Sequence, residues 1–300
     1  MKKIDTTRSP RWLINDLMRL VLVRFNYVLG QALLAFSLLG QASYAAEKTA
    51  PFSDRLTVEQ IIERTREASK KEGQGDVVFK FYRKASFDEF DAKGNVVEKN
   101  SKTYRAYTDD RDQELRKVNG RPASKRERYR EYKKHQERQR RYLNKRKGSD
   151  PKKRNENLIT RNVDLFEDKF APRLVGEEKV NGRDAYVISL KPNKKYKHKS
   201  RMVNRIMDQL DTRIWVDKEE FQISQLSTRL LKPVNFLGGL AGAIKTIDIA
   251  VTQKRLAKNT WVDEKVNAHF DARIVWKTYQ FRMESLSTDF ERTEPEEPES

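Results

Sequence analysis

The 300-residue sequence contains no cysteine. Disulfides, thiol nucleophiles and cysteine-ligated metals are therefore excluded, and the hydrophobic core must hold the fold unaided. The same absence removes the residue on which bacterial lipidation depends. Histidine is scarce: His135, His198 and His269 lie far apart, without metal-ligand spacing. His135 and His198 sit among Lys and Arg and are expected to be solvated, whereas His269 alternates with Asp271 and Arg273 on the polar side of a strand. The apolar run 28–39 falls short of the ~20 residues of a membrane span and is broken by Gly30, Gln31 and Ser37.

Motifs of catalysis are missing as well. No serine lies in a nucleophile-elbow context. "GGLAGAIKT" (238–246) has Ala243-Ile244 before Lys245, where a phosphate loop needs Gly-Lys-Ser/Thr. "FDEFDAKGN" (87–95) clusters carboxylates without the alternate ligand spacing of a calcium loop, and reads as a hairpin turn. A non-enzymatic protein with no cofactor and no metal is the expectation.

What is present is positive charge, placed unevenly. Residues 121–154 hold sixteen Lys or Arg against four acids, and residues 1–45 hold six against two, leaving only +3 of the net +19 for the rest. The body is thus a nearly balanced chain carrying one basic insertion. Read as a helix, the insertion sets Tyr129, Tyr132, Gln136, Gln139 and Leu143 in a narrow, half-polar seam. It offers little apolar area to bury, so it is expected to project from the body or lie loosely on it. Arg130, Lys133, Lys134, Arg138, Arg140 and Arg141 are the candidate anion-binding residues.

Residues 1–45 have the form of a secretory signal peptide: an apolar run, then Ser43 and Ala45 at the −3 and −1 positions of a cleavage site. Counted from Met18, "MRLVLVRFNYVLG" is a compact basic-then-apolar signal, which makes Met18 an alternative translation start. The expected product is a soluble, non-lipidated periplasmic protein of a Gram-negative-type bacterium. It would comprise a single domain at 46–292, with the insertion 121–154 inside it, and a disordered acidic tail at 293–300.

Along the domain, Thr57 with Gln60 forms a capping box, and Val58, Ile61, Ile62 and Thr65 follow at helical spacing, predicting a helix over 57–71. The period then switches to two: Val77, Phe79 and Phe81 alternate with Val78, Lys80 and Tyr82. Asn119-Gly120 and Asn181-Gly182 mark tight hairpin turns. "SRMVNRIMDQL" predicts a short amphipathic helix. The remaining strands bring the total to nine or ten. The fold class is therefore α+β and mainly antiparallel β: a strongly curved sheet or unclosed barrel, with helices capping one face. Tyr186, Ile188 and Leu190 oppose Ala185 and Val187, so that strand is apolar on both sides. The Gly-rich segment with Phe236, Leu237, Leu240 and Ile244 reads either as a buried connection or as a mobile flap over an apolar cavity.

Four stretches, "LTVEQIIERTREAS" leading into "GDVVFKFYR", "VGEEKVNGRDAYVISLKP", "RIWVDKEEFQISQLS" and the closing series to "STDF", resemble the LolA/LolB-like superfamily, which includes outer-membrane lipoprotein-sorting proteins. The resemblance implies an unclosed β-barrel capped by helices, whose apolar concave surface holds acyl chains of lipids or lipoproteins. Phe79, Phe81, Trp215, Phe270 and Trp276 are candidates for that surface or for the core, and the sequence does not say which sheet face is which. The basic insertion departs from the minimal carrier. An alternative is an envelope interaction or sensor module whose basic helix binds an acidic protein, a polysaccharide or an anionic lipid surface. Nucleic acid is disfavoured, because the insertion offers only Tyr129, Tyr132 and Tyr142 for stacking and an exported protein meets little of it.

Overall fold

The computed structural model describes residues 56–71, 77–109, 113–145, 170–193, 195, 201–236, 239, 242–274 and 277–293. All of them fall within one unit of the chain that begins at Leu56. Residues 1–45 and 294–300 lie outside the described set, as do Trp276, Leu237, Leu240 and the side chains of Arg138 and Arg141.

The first helix, α1 (Val58–Lys71), starts where the capping box places it. The Thr57 amide donates to Gln60 Oε1 at 2.8 Å and the Gln60 amide donates to Thr57 Oγ1 at 3.3 Å, a reciprocal arrangement that satisfies two otherwise orphaned donors. Its inward stripe, Ile61, Ile62 and Thr65, is fully or almost fully buried.

Four strands follow: β1 (Val78–Phe90), β2 (Val96–Tyr107), β3 (Gln113–Val118) and β4 (Arg121–Pro122). The β3–β4 turn is Asn119-Gly120, both at positive φ, as a tight hairpin requires. The basic helix α2 (Lys125–Lys145) comes next. A second hairpin, β5 (Phe170–Val180) and β6 (Arg183–Pro192), turns on Asn181-Gly182 in the same way. Helix α3 (Arg201–Met207) buries Ile206. The rest is strand: β7 (Leu210–Asp217), β8 (Ile223–Leu230), β9 (Val234–Phe236), β10 (Gly242–Ala257), β11 (Thr260–Ile274) and β12 (Lys277–Thr293).

The twelve strands among the described residues, more than the nine or ten expected, join one sheet in the order β4-β3-β2-β1-β12-β11-β10-β8-β7-β6-β5, with β9 added to β10. Every pairing is antiparallel. The two ends of the series, β4 and β5, do not pair with each other, so the sheet is unclosed. The fold class is the expected one: mainly antiparallel β, an open sheet, helices against it.

Cross-strand register assigns the faces, because residues directly opposite each other share one side of a sheet. One row runs Ile188–Ile214–Leu226–Val251–Val266–Ser285–Ala85–Lys102. The next row on that face runs Leu190–Thr212–Thr228–Ile249–Ala268–Met283–Phe87–Asn100. A third begins Ile247–Phe270–Phe281 and continues to Glu89. The intervening row, on the other face, reads Asp211–Arg229–Asp248–His269–Arg282–Asp88–Lys99, a ladder in which acid and base alternate almost throughout. The sheet has an apolar side and a charged side.

Helix α1 covers the apolar side at one end. Ile61 and Ile62 form a core cluster with Ile188, Leu190, Ile214, Val216, Ile223, Val251 and Val266. At the opposite face of β5–β7 a smaller cluster joins Val180, Ala185, Val187 and Trp215, which accounts for β6 being apolar on both sides. A third cluster, Phe81, Ala106 and Val262, lies beyond bulges that interrupt the β1–β12 and β10–β11 registers.

Candidate functional site

Between the two ends of the sheet the apolar side presents a band built by alternation. Tyr279, Phe281 and Met283 of β12 alternate with Gln280, Arg282 and Glu284, and Ala268, Phe270 and Ala272 of β11 alternate with His269 and Asp271. Phe281 stacks on Phe270 with ring centroids 5.3 Å apart and on Phe87 at 5.6 Å, so three strands contribute one aromatic line. Ile247 and Ile249 of β10 extend it, and Leu226 of β8 joins it to the α1 cluster. Phe87, Phe270, Met283 and Ile249 are only half-buried.

The Gly-rich segment closes one end of this band as a short hairpin. Phe236 pairs with Gly242 and Val234 with Ile244; Ile244 in turn faces Ala272. Register therefore puts Val234, Phe236 and Ile244 on the apolar side. Gly239, at φ 92°, and Gly242, at φ 137°, supply the backbone the turn needs, and Arg273 donates to the Gly239 carbonyl at 2.9 Å.

Helix α2 stands at the other end, on the same side as α1. Glu131 is nearly buried and accepts from Lys102 Nζ at 2.8 Å, from Tyr104 Oη at 3.3 Å and from Lys134 Nζ at 3.1 Å. Burial pushes its carboxyl up, but the hydrogen bonds and charges of Lys102 and Lys134 outweigh this and hold it below the usual carboxylate range. Lys102 belongs to the same row as Ala85, Val251 and Ile214, which fixes the side on which the helix sits. The helix start is locked by a second capping box: the Glu127 amide donates to Ser124 Oγ at 3.3 Å and the Ser124 amide to Glu127 Oε2 at 2.9 Å. Arg121 grips the Glu127 carboxylate with two bonds of 2.6 and 2.9 Å and, with Ser124, holds its pKa far below the ordinary value. A loosely attached helix was expected; its first half is docked. His135, expected to be solvated, is buried on the docked side with Nε2 unpartnered.

The residues selected from sequence do not share one surface. Phe270 lies in the aromatic line. Trp215 is on the charged side, in the cluster with Val187, and its Nε1 donates to Glu178 Oε2 at 2.8 Å. Phe81 packs with Ala106 and Val262 beyond the bulges, and the Phe79 amide donates to Thr108 Oγ1. Arg130, Lys133, Lys134 and Arg140 are exposed on α2. Phe87, Phe281, Met283, Ile247 and Ile249 were not singled out, although the period-two pattern around Phe281 and Met283 was readable.

A cavity of about 830 Å³ opens on the charged side of β5–β7, lined among others by Arg173, Lys191, Arg213, Asp211, Val187 and Ser189. Its three basic side chains are balanced by Glu177, Glu178 and Asp211, so it favours neither charge sign. Among the described residues no group of three or more His, Asp or Glu side chains comes together as a metal site, and no helix is long and apolar enough to cross a membrane.

These features define a class: an unclosed antiparallel sheet with helices standing on its apolar side. Among solved structures the chain is similar to a putative outer membrane lipoprotein-sorting protein domain from Vibrio parahaemolyticus, with 11% identity and a TM-score of 0.31 over 81% of this chain and 96% of that one. It is similar also to a LolA superfamily protein from Nitrosomonas europaea (11% identity, TM-score 0.27, 79% and 93% covered) and to a DUF1329 family protein from Desulfovibrio piger (13%, 0.29, 78% and 92%). No family model and no curated protein matches the sequence.

Proposed function

We propose that this chain is a non-enzymatic lipid- or lipoprotein-binding protein of the bacterial envelope, exported by residues 1–45, that takes acyl chains against the apolar band between α1 and α2. The observation that supports the reading is the half-buried band itself. Phe87, Phe270, Met283 and Ile249 come from four adjacent strands and stay partly open to solvent. Each methylene of an acyl chain buried there contributes ~0.8 kcal/mol, so affinity needs no catalytic or charged group. Phe236 and Ile244 close one end of the groove as a flap, with Leu237 and Leu240 between them in sequence. Phe79, Phe81, Trp215 and Trp276 are not required by this version of the site. Native mass spectrometry of protein purified from bacterial cells tests it, paired with uptake of a fluorescent fatty acid. Co-purified lipid and saturable uptake are expected; absence of both overturns the reading.

A further inference from the structure

Helix α2 has a second side. With Glu131 and His135 turned into the sheet, Arg126, Lys133 and Arg140 fall on the opposite side in one straight row, spaced by seven residues. Seven residues rise ~10.5 Å, so the row is about 21 Å long. Tyr129 stands in the same row, with Lys133 Nζ 5.0 Å above its ring, and Tyr132 flanks it. Both phenols are large apolar groups left about half-exposed, at 57% and 50%. Lys125 and Arg130 add exposed charge to either side of the row. Of the described acids on the helix, Glu127 is held by Arg121 and Glu131 by Lys102 and Lys134, while Glu137, four residues after Lys133 and three before Arg140, is exposed on the outer side and offsets part of the charge there.

We infer that this outer row of α2 is a docking surface for an anionic phospholipid bilayer. The inference deepens the acyl-chain reading, because a bilayer is where such a ligand is loaded or delivered. Charge complementarity supplies the attraction, at about fivefold in affinity for each cation near the surface. The straight row lets a planar array of headgroups meet all three cations at once. The two tyrosines select a bilayer over a soluble polyanion, because an amphipathic ring gains by sitting at the headgroup level, half in water and half in lipid. The docked inner side makes the helix a fixed platform: Glu131 holds it to Lys102 of β2 and Glu127 to Arg121 of β4 while the outer row is engaged.

Co-sedimentation of the full chain with phosphatidylglycerol-containing vesicles, against pure phosphatidylcholine vesicles, is the test. The wild type binds the anionic vesicles selectively and less at high salt. R126Q/K133Q/R140Q binds them roughly 100-fold more weakly, three residues at about fivefold each, with an unchanged melting temperature, since all three side chains are exposed. Y129S/Y132S weakens vesicle binding at constant charge. Wild-type vesicle binding by the triple variant overturns the inference, as does no preference for anionic vesicles. Row-dependent binding to heparin or duplex DNA that is as tight as to vesicles and insensitive to Y129S/Y132S also overturns it, assigning the row to a soluble polyanion. Fatty-acid uptake by the triple variant reads the two proposals apart: its retention with vesicle binding lost supports both, and its absence from every variant and the wild type sinks the acyl-chain reading alone.

Discussion

Glu131 is a carboxylate with about 10% of its side chain exposed, placed between two lysines and a phenol. A charge so situated is stabilising only while its partners remain, and deleting it leaves Lys102 without its anion. Replacing Glu131 with Gln should destabilise the fold by about 1.5–3 kcal/mol, the range for a hydrogen bond to a charged group. Because the folded-state pKa is depressed, this stability is present above the unfolded value near 4.5 and is lost as pH falls through the folded value. Thermal melts of wild type and E131Q should differ at neutral pH and converge as the pH falls below 4.5 and through the depressed folded value. A pH-independent gap would mean that the carboxylate charge does not anchor α2. Asp217 makes a parallel case: it is 1% exposed, accepts two bonds from Arg183 at 2.6 and 2.9 Å, and caps the Glu219 and Glu220 amides. Asp217→Ala should cost roughly 3–5 kcal/mol, the penalty of breaking a buried pair, read by urea denaturation. A loss under about 1 kcal/mol would place the turn's stability in its backbone instead.

At the level of elements, what could be read from the sequence was what local chemistry dictates. The capping box set the start of α1, and Asn-Gly set two hairpin turns, because both signals act within four residues. Thr57→Ala should accordingly cost about 1 kcal/mol, seen as a lower urea midpoint with unchanged slope. A loss below about 0.3 kcal/mol would assign the helix start to Ile61 and Ile62 packing alone. The docking of α2 was not legible, since its inward residues are Glu131 and His135 and carry no hydrophobic signal. The burial of Glu131 depends on Lys102 and Tyr104, which lie 29 and 27 residues away in sequence. The partition of the aromatic residues was hidden for a related reason. β1 pairs with β12 across 190 to 215 residues, and bulges near Phe81 and after Thr252 reset the alternation on which face assignment depends. Trp215 and Ile214 are neighbours in sequence, yet register sends them to opposite sides.

For the molecule as a whole, the decisive property is the sidedness of the sheet. Asn267 and Ala268 are consecutive, but Ala268 shares a row with Ile249 and Met283, while Asn267 pairs with Ala250 and Glu284 on the charged side. A carboxylate introduced on either side therefore samples two environments at one depth in the fold. On the charged side, Asn267→Glu stays half-exposed, opposite Glu284, and should leave acyl uptake within about twofold. On the apolar side, Met283→Glu places a charge against the band that the acyl chain would occupy. Losing contact with roughly three methylenes at about 0.8 kcal/mol each weakens binding on the order of 100-fold. Met283 is only half-buried, so the glutamate reaches solvent in the ligand-free state and the protein stays folded, which circular dichroism would verify. Met283→Leu keeps the surface apolar and should restore uptake. If Asn267→Glu abolished uptake while Met283→Glu preserved it, the ligand surface would lie on the opposite side, at the groove of β5–β7. Equal loss from both would point to a general destabilisation, which the melting temperatures of the two variants would show directly.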